Sequence, residues 1–318
     1  MKTPLRMGAY ALGLVAVFGA ALGVGRAVGP VAGPAVHDKA ADGGHAGHAD
    51  PAGTAKPPAG LQISQDGYRL QPLTATLPPD VPVEFTFRVL GPDGNPVTRY
   101  TPTHEKQLHL IVVRRDLSGF QHVHPTLDEG GTWRVPLTVA AAGQYRVFAD
   151  FRPADRAEAL TLGMDVPAPG TYVPTTLPAV SRTTTVDGYT VDVAGDLVAG
   201  TANKLTLRVS RDGRPVTDLQ PYLGAYGHLV TLREGDLAYL HTHPDGAPGD
   251  GRTRPGPEIT FYAEVPSAGT YRLYLDFQHN GVVRTAEFTA TTAGADDPPP
   301  AAPATPTGAG HGGHGGHG

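Results

Sequence analysis

An all-β protein built from two tandem antiparallel β-sandwiches is what the sequence predicts, on three observations. Glycine (42) and proline (32) are abundant enough in the 318 residues to disfavour long helices and favour short strands joined by turns. The apolar residues alternate with polar ones over short segments such as VEFTFRVL, TWRVPLTV and QYRVFADF, and no stretch holds a helical period. Most telling, the middle of the chain is written twice. QDGYRL (65–70) answers to VDGYTV (186–191), and GPDGNPVT (91–98) to SRDGRPVT (210–217). HLIVVRRDLSGFQHVHP (109–125) answers without a gap to HLVTLREGDLAYLHTHP (228–244), and AAGQYRVFADF (141–151) to SAGTYRLYLDF (267–277). Four matched blocks in one order mark an internal duplication.

Each copy is too long for a propeller blade or solenoid unit, so each is expected to be a domain: 61–170 and 182–292, joined by a linker at 171–181. Roughly seven short strands per copy is the immunoglobulin-like or cupredoxin-like sandwich pattern. The flanks differ in character. Residues 1–27 carry Lys2 and Arg6 ahead of an uncharged run at 7–24, which as a helix spans ~27 Å against a hydrocarbon core of ~30 Å. This predicts a transmembrane helix anchoring the bulk of the chain outside the cytoplasm, with a cleaved signal segment and a secreted product as the alternative. Residues 28–60 and 293–318 are rich in Pro, Gly and Ala and read as disordered tethers. Both carry spaced histidines, His37, His45 and His48 in one and His311, His314 and His317 in the other, a composition that captures metal ions loosely.

Composition excludes several function classes. A formal charge of −5 gives no basic footprint for nucleic acid. Cysteine is absent, which removes disulfides, zinc thiolates and iron–sulfur ligation, and three methionines are too few for a thioether-rich Cu(I) site. Any metal must be held by nitrogen and oxygen.

Nitrogen is supplied by the repeated His-x-His-Pro. Alternation along a strand puts His122 and His124 on one face, and likewise His241 and His243. Folding the second copy about a two-residue turn at Gly235-Asp236 sets His228 across from His243 and Val230 across from His241, and the alignment transfers this to His109, His122 and His124. The expectation is therefore three imidazoles on one hairpin face, once per repeat, suited to Cu(II) or Zn(II). Candidate fourth ligands differ: His104 in the first copy, His279 in the second, where Leu223 occupies the position of His104. His228, Val230 and Leu232 share a face that reads as the inward face of the sandwich, so the competing reading is a set of core histidines in a hydrogen-bonded network. Asp150 and Asp276 align and read as solvent-facing beside Arg146 and Arg272, while each proline is expected to end its strand at the rim.

His-x-His-Pro also belongs to JAMM-type zinc isopeptidases, and HTHPD is similar to the metallo-β-lactamase motif, but the downstream Ser-x-x-Asp of the first and the final histidine of the second are missing, Gly246 standing in the latter place. No nucleophile–base pair is evident, so no enzyme activity is expected. HLIVVRRDLSGFQHVHP followed by GQYRVFADF resembles a group of bacterial exported, often membrane-anchored Ig-like proteins, similar broadly to YtkA-like domains and in architecture alone to CopC copper carriers. The resemblance covers both repeats and implies an extracytoplasmic metal-handling role, although the N-terminal histidine on which CopC ligation depends has no counterpart here. The functional expectation is a membrane-tethered binder of copper, or less readily zinc, with an envelope transporter or oxidase as a possible partner. The alternative is an Ig-like structural or interaction module whose histidines are structural.

Overall fold

The computed structural model describes residues 57–240 and 242–293. The expected anchor at 1–27, most of the tether at 28–60, the tail and its histidines, and His241 lie outside the described residues. Among the described residues there is no helix long and apolar enough to cross a membrane.

The first repeat holds nine strands: β1 (Ser64–Gln65), β2 (Tyr68–Pro72), β3 (Val83–Leu90), β4 (Leu108–Arg114), β5 (Gln121–Val123), β6 (Thr126–Leu127), β7 (Thr132–Leu137), β8 (Gly143–Phe151) and β9 (Leu160–Ala168). They form two sheets in the orders β1-β2-β3-β7-β6 and β5-β4-β8-β9. The second repeat holds β10 (Thr183–Val186), β11 (Tyr189–Ala194), β12 (Leu197–Val198), β13 (Ala202–Arg211), β14 (Arg214–Pro215), β15 (His228–Arg233), β16 (Tyr239–Leu240), β17 (Thr242–Pro244), β18 (Glu258–Glu264), β19 (Thr270–His279) and β20 (Val282–Ala293). Its sheets repeat the plan, β10-β11-β13-β18-β17 facing β12-β20-β19-β15-β16, and β12 runs parallel to β20. Four principal strands on one sheet against a C′-C-F-G set on the other is the immunoglobulin-like arrangement.

Alternation builds each core. In β3, Phe85, Phe87 and Val89 point inward and meet Trp133, Leu110 and Val147. In the second repeat Leu205, Leu207 and Val209 of β13 do the same against Phe261, Leu273 and Phe277. A tyrosine corner closes both sandwiches: Tyr145 Oη donates to the Ala141 carbonyl at 3.0 Å, and Tyr271 Oη to the Ser267 carbonyl at 2.8 Å.

Strand β4 departs from simple alternation, because every residue in it is buried. Leu108, Leu110 and Val112 enter the core of the first sandwich. Ile111 and Val113, on the opposite face with His109, join a third cluster with Leu117 and Phe148 of the first repeat and Val230, Leu232, Leu237, Tyr239 and Tyr274 of the second. The two repeats are thus docked through their β4 and β15 sheets. Phe120 stacks on Tyr274 with centroids 3.9 Å apart, and Tyr274 Oη donates to the Leu117 carbonyl at 2.7 Å. Each fully buried side chain of this size contributes ~1.5–3 kcal/mol of transfer free energy. The histidine-bearing face is consequently the inter-repeat face, not the inward face of the sandwich that alternation suggested. Ala59 also belongs here: its carbonyl accepts from Tyr239 N at 3.0 Å, so the end of the expected tether is packed against the repeats.

The hairpin registers agree with the sequence reading where they run. Leu110 pairs with Val123 and Ile111 with His122, while Thr231 pairs with Leu240 and Leu232 with Tyr239. The turns are wider than two residues. Arg233 N donates to the Ala238 carbonyl across a loop in which Asp236 accepts from Arg233 Nε and Ala238 N, and Leu237 takes φ 60°. Asp116 receives Arg114 Nε and Ser118 N in the same way, with Leu117 at φ 64°. Asp116-Leu117 therefore corresponds to Asp236-Leu237, and the ungapped alignment hides one insertion before this pair and one deletion after it.

Candidate metal centre between the repeats

Strand β4 sets His109 on the inter-repeat face, and β5, antiparallel to it, brings His122 opposite Ile111 with His124 one step beyond the last pair. His109 is 1% exposed. Its Nε2 lies 2.9 Å from the Thr103 carbonyl, an oxygen that can only accept, so the proton sits on Nε2 and Nδ1 presents its lone pair. That lone pair faces His122 Nε2 at 3.1 Å and His124 Nε2 at 3.2 Å. His122 Nδ1 donates to Asp276 Oδ2 at 2.7 Å, which turns its Nε2 toward the same point. Asp276 comes from β19 of the other repeat, is 2% exposed, and also accepts from Thr285 Oγ1 at 2.6 Å.

The second repeat completes the cluster with His228. Its ring lies parallel to His109 with centroids 5.5 Å apart and 4.7 Å from His122, and its Nδ1 is a buried nitrogen with no hydrogen-bond partner. One ring nitrogen each from His109, His122 and His228 lies within 4.8 Å of the others. His104 borders the group, 6.1 Å from His109 and 5.8 Å from His228 between centroids. It sits in a tight turn with His104 at φ 47° and Glu105 at φ 65°, a left-handed conformation that costs a non-glycine residue ~1–2 kcal/mol. The same turn recurs in the second repeat with Leu223 at φ 55°.

Burial keeps the rings of His109, His124 and His228 uncharged. Burial pushes His109 down to about 4, with the neighbouring His122 and His104 adding to the effect. Burial, then His122 and His109, pushes His124 down to about 3. His228 lies well below the ordinary histidine value for the same reason. Neutral imidazoles with convergent lone pairs are the form that binds a metal. With metal–nitrogen bonds of ~2.0–2.1 Å, the edge of a tetrahedral site is ~3.4 Å, close to the two short nitrogen–nitrogen distances here. A depression of about 390 Å³ lined by Glu105, Lys106 and His124 opens beside the cluster. Larger ones, about 440 Å³ around Tyr68 and about 620 Å³ around Asp250, contain none of the clustered rings.

The remaining expected residues lie elsewhere. His243 is exposed on β17, which pairs with β18 in the other sheet, opposite Tyr262. Leu240 is still paired with β15 and Thr242 is already paired with β18, so the chain changes sheet between them, whereas β5 stays on the corresponding sheet through Val123. Pro244 is the last residue of β17, so that strand ends at its proline as expected, and Pro125 lies between β5 and β6. His279 accepts from Tyr189 Oη at 2.7 Å and donates to Asp218 Oδ1 at 3.0 Å, so both its nitrogens are engaged. Among the described residues the geometry shows one cluster, shared by the two repeats, where one per repeat was expected. Asp276, expected to face solvent, is buried against His122, and Arg146 and Arg272 are buried as well. Across β15 and β19, Asp276 stands directly opposite His228.

A tandem immunoglobulin-like sandwich with an inter-repeat histidine cluster is the class that fold and site define. The chain belongs to the family described as Domain of unknown function (DUF8832), whose model matches residues 63–168 and 184–294, one match per repeat. This family takes the place of the YtkA-like and CopC resemblances. No functionally curated protein sequence matches the chain. Among solved structures it is similar to FdeC, an Escherichia coli adhesin, at 17% identity over 73% of this chain and 65% of that one, with a TM-score of 0.23. A putative membrane anchored protein from Corynebacterium diphtheriae is similar at 9% identity over 74% of this chain and 60% of that one, with a TM-score of 0.22. The chain thus spans less than two thirds of either protein, and likeness at these scores carries no function.

Proposed function

We propose that the protein binds one divalent transition-metal ion, copper ahead of zinc, between its two repeats, outside the cytoplasm and tethered to the membrane through residues 1–27. The observation that carries this reading is the set of convergent ring nitrogens: His109 Nδ1 faced at 3.1 and 3.2 Å by His122 and His124, with the orphaned His228 Nδ1 beside them. His109, His122, His124 and His228 would hold the ion, with Asp276 and the Thr103 carbonyl orienting His122 and His109. An all-imidazole donor set suits Cu(II) and Zn(II) and gives Cu(I) no soft ligand. Burial of the donors supports binding over catalysis. The histidines of the two terminal segments would raise the local ion concentration.

Calorimetric titration of Cu(II) and Zn(II) into the chain and into His109→Ala/His122→Ala tests this. The expected result is a tight equivalent present in the first and lost in the second; equal, substoichiometric uptake by both would overturn it.

A second reading has its own support. The Phe120–Tyr274 stack and the apolar cluster around it give the repeats a contact that involves none of the histidines, as an Ig-like structural or interaction module of the envelope would require. In that reading the histidines are a buried polar network, and melting is insensitive to chelator.

A further inference from the structure

The cluster is divided between the two halves of the duplication in an unequal way. His109, His122 and His124 come from the first repeat, while His228 and the carboxylate that orients His122 come from the second. His122 and Asp276 lie 154 residues apart in sequence and are 2% and 3% exposed at the side chain. Separating the repeats would remove a ligand, release His122 from its orienting partner, and expose both groups to water.

Resting on the metal-binding reading, we infer that ion occupancy and docking of the two repeats are one coupled equilibrium, in which Asp276 is the positioning residue that transmits the coupling. Binding free energies are linked reciprocally: whatever factor docking contributes to ion affinity, the ion contributes to docking. Loss of a carboxylate that orients a histidine ligand typically weakens metal binding ~10–100-fold. The ion therefore tightens the inter-repeat contact by at least that factor, on top of the apolar cluster of Ile111, Val113, Val230, Leu232 and Tyr274. The apolar contact sets the geometry, and the ion makes its strength depend on metal supply.

The linker offers a place to test this in the full chain. Thr175 N donates to Asp116 Oδ2 at 2.7 Å and Arg114 lies over the Tyr172 ring, so the linker's first half is strapped to the first repeat, whereas residues 178–180 are exposed. A protease site inserted between Pro178 and Ala179 allows the folded chain to be cut into its two repeats. The association of the cut pieces is then measured by dilution, with Zn(II) in excess and with chelator. The coupling predicts association ~10–100-fold tighter with Zn(II), and a gain that shrinks by the same factor in Asp276→Asn. One equivalent of Zn(II) bound by the uncut chain, with identical association in both conditions, would overturn the coupling and leave the metal reading standing. An uncut chain that binds neither Zn(II) nor Cu(II) would overturn the metal reading itself. If the pieces stay together at every dilution, the Zn(II) affinity of uncut Asp276→Asn decides: unchanged affinity overturns the coupling. Trp133, the single tryptophan and part of the first core, reports whether each variant is folded.

Discussion

The two repeats share a fold, a hairpin register and a tyrosine corner, yet they treat the same His-x-His-Pro motif differently. In the first, β5 remains beside β4 through Val123 and delivers His122 and His124 to the inter-repeat face. In the second, the chain changes sheet between Leu240 and Thr242 and carries His243 to the opposite sheet, where it is exposed. Among the described histidines of the second repeat, His228, on the strand that both copies keep in place, reaches the cluster. Duplication therefore copied the motif, while the point at which each strand changes sheet decided where His124 and His243 went.

The largest expected effect separates the two sets of histidines. His109→Ala/His122→Ala should abolish tight metal uptake, whereas His243→Ala/His279→Ala should leave it within a factor of about two, given that neither residue belongs to the cluster. Spectroscopic titration with Cu(II) reads the difference, and equal losses would restore a site in each repeat. Next in size is the apolar contact between the halves. Phe148 is fully buried in the inter-repeat cluster, at the position Tyr274 occupies in the other copy. Phe148→Ala should cost ~3–5 kcal/mol of unfolding free energy in denaturant titration; a cost below ~1 kcal/mol would mean the repeats do not depend on the contact.

Acid sharpens the comparison through the first repeat. His109 and His124 titrate near 4 and 3 in the folded chain against an ordinary value of 6.5. The unfolded chain thus takes up protons first as pH falls, and stability declines from about 6.5 down through about 4 and then 3. The ion, which needs neutral rings, should be released only as these rings protonate in the folded chain, at about 4 and below. Trp133 fluorescence at a series of pH values measures the decline, and a flat profile between 6.5 and 4 would contradict the burial of these rings. The smallest effect should be the same in both halves: Tyr145→Phe and Tyr271→Phe each remove one corner hydrogen bond, worth ~1 kcal/mol. Unequal costs in thermal melts would show that the corners are not equivalent.

Much of the fold was legible because it is written in local patterns. Alternation in β3 and β13, the repeated turn words and the four matched blocks specify two sandwiches without tertiary information. The hairpin registers followed from the same alternation. The tyrosine corner was also present in the sequence, as the Tyr that follows Ala-Gly-x in both AAGQYRVFADF and SAGTYRLYLDF, and it is read from spacing to the turn. What the pattern does not contain is the identity of the second partner of a strand buried on both faces. HLIVVR is apolar on each side, so nothing local says that Leu108, Leu110 and Val112 face the sandwich core while His109, Ile111 and Val113 face the other repeat. For the same reason the meeting of His122 with Asp276 is a property of docking, and the sequence could only place each residue on its own strand.

The most direct measurement is the metal content of the full chain in which His37, His45, His48, His311, His314 and His317 are replaced by alanine, purified without an affinity resin and compared with the same chain carrying His228→Ala. A single shared centre predicts one tightly held ion per chain, lost when His228 is removed. Two ions per chain, or one that survives without His228, would contradict it.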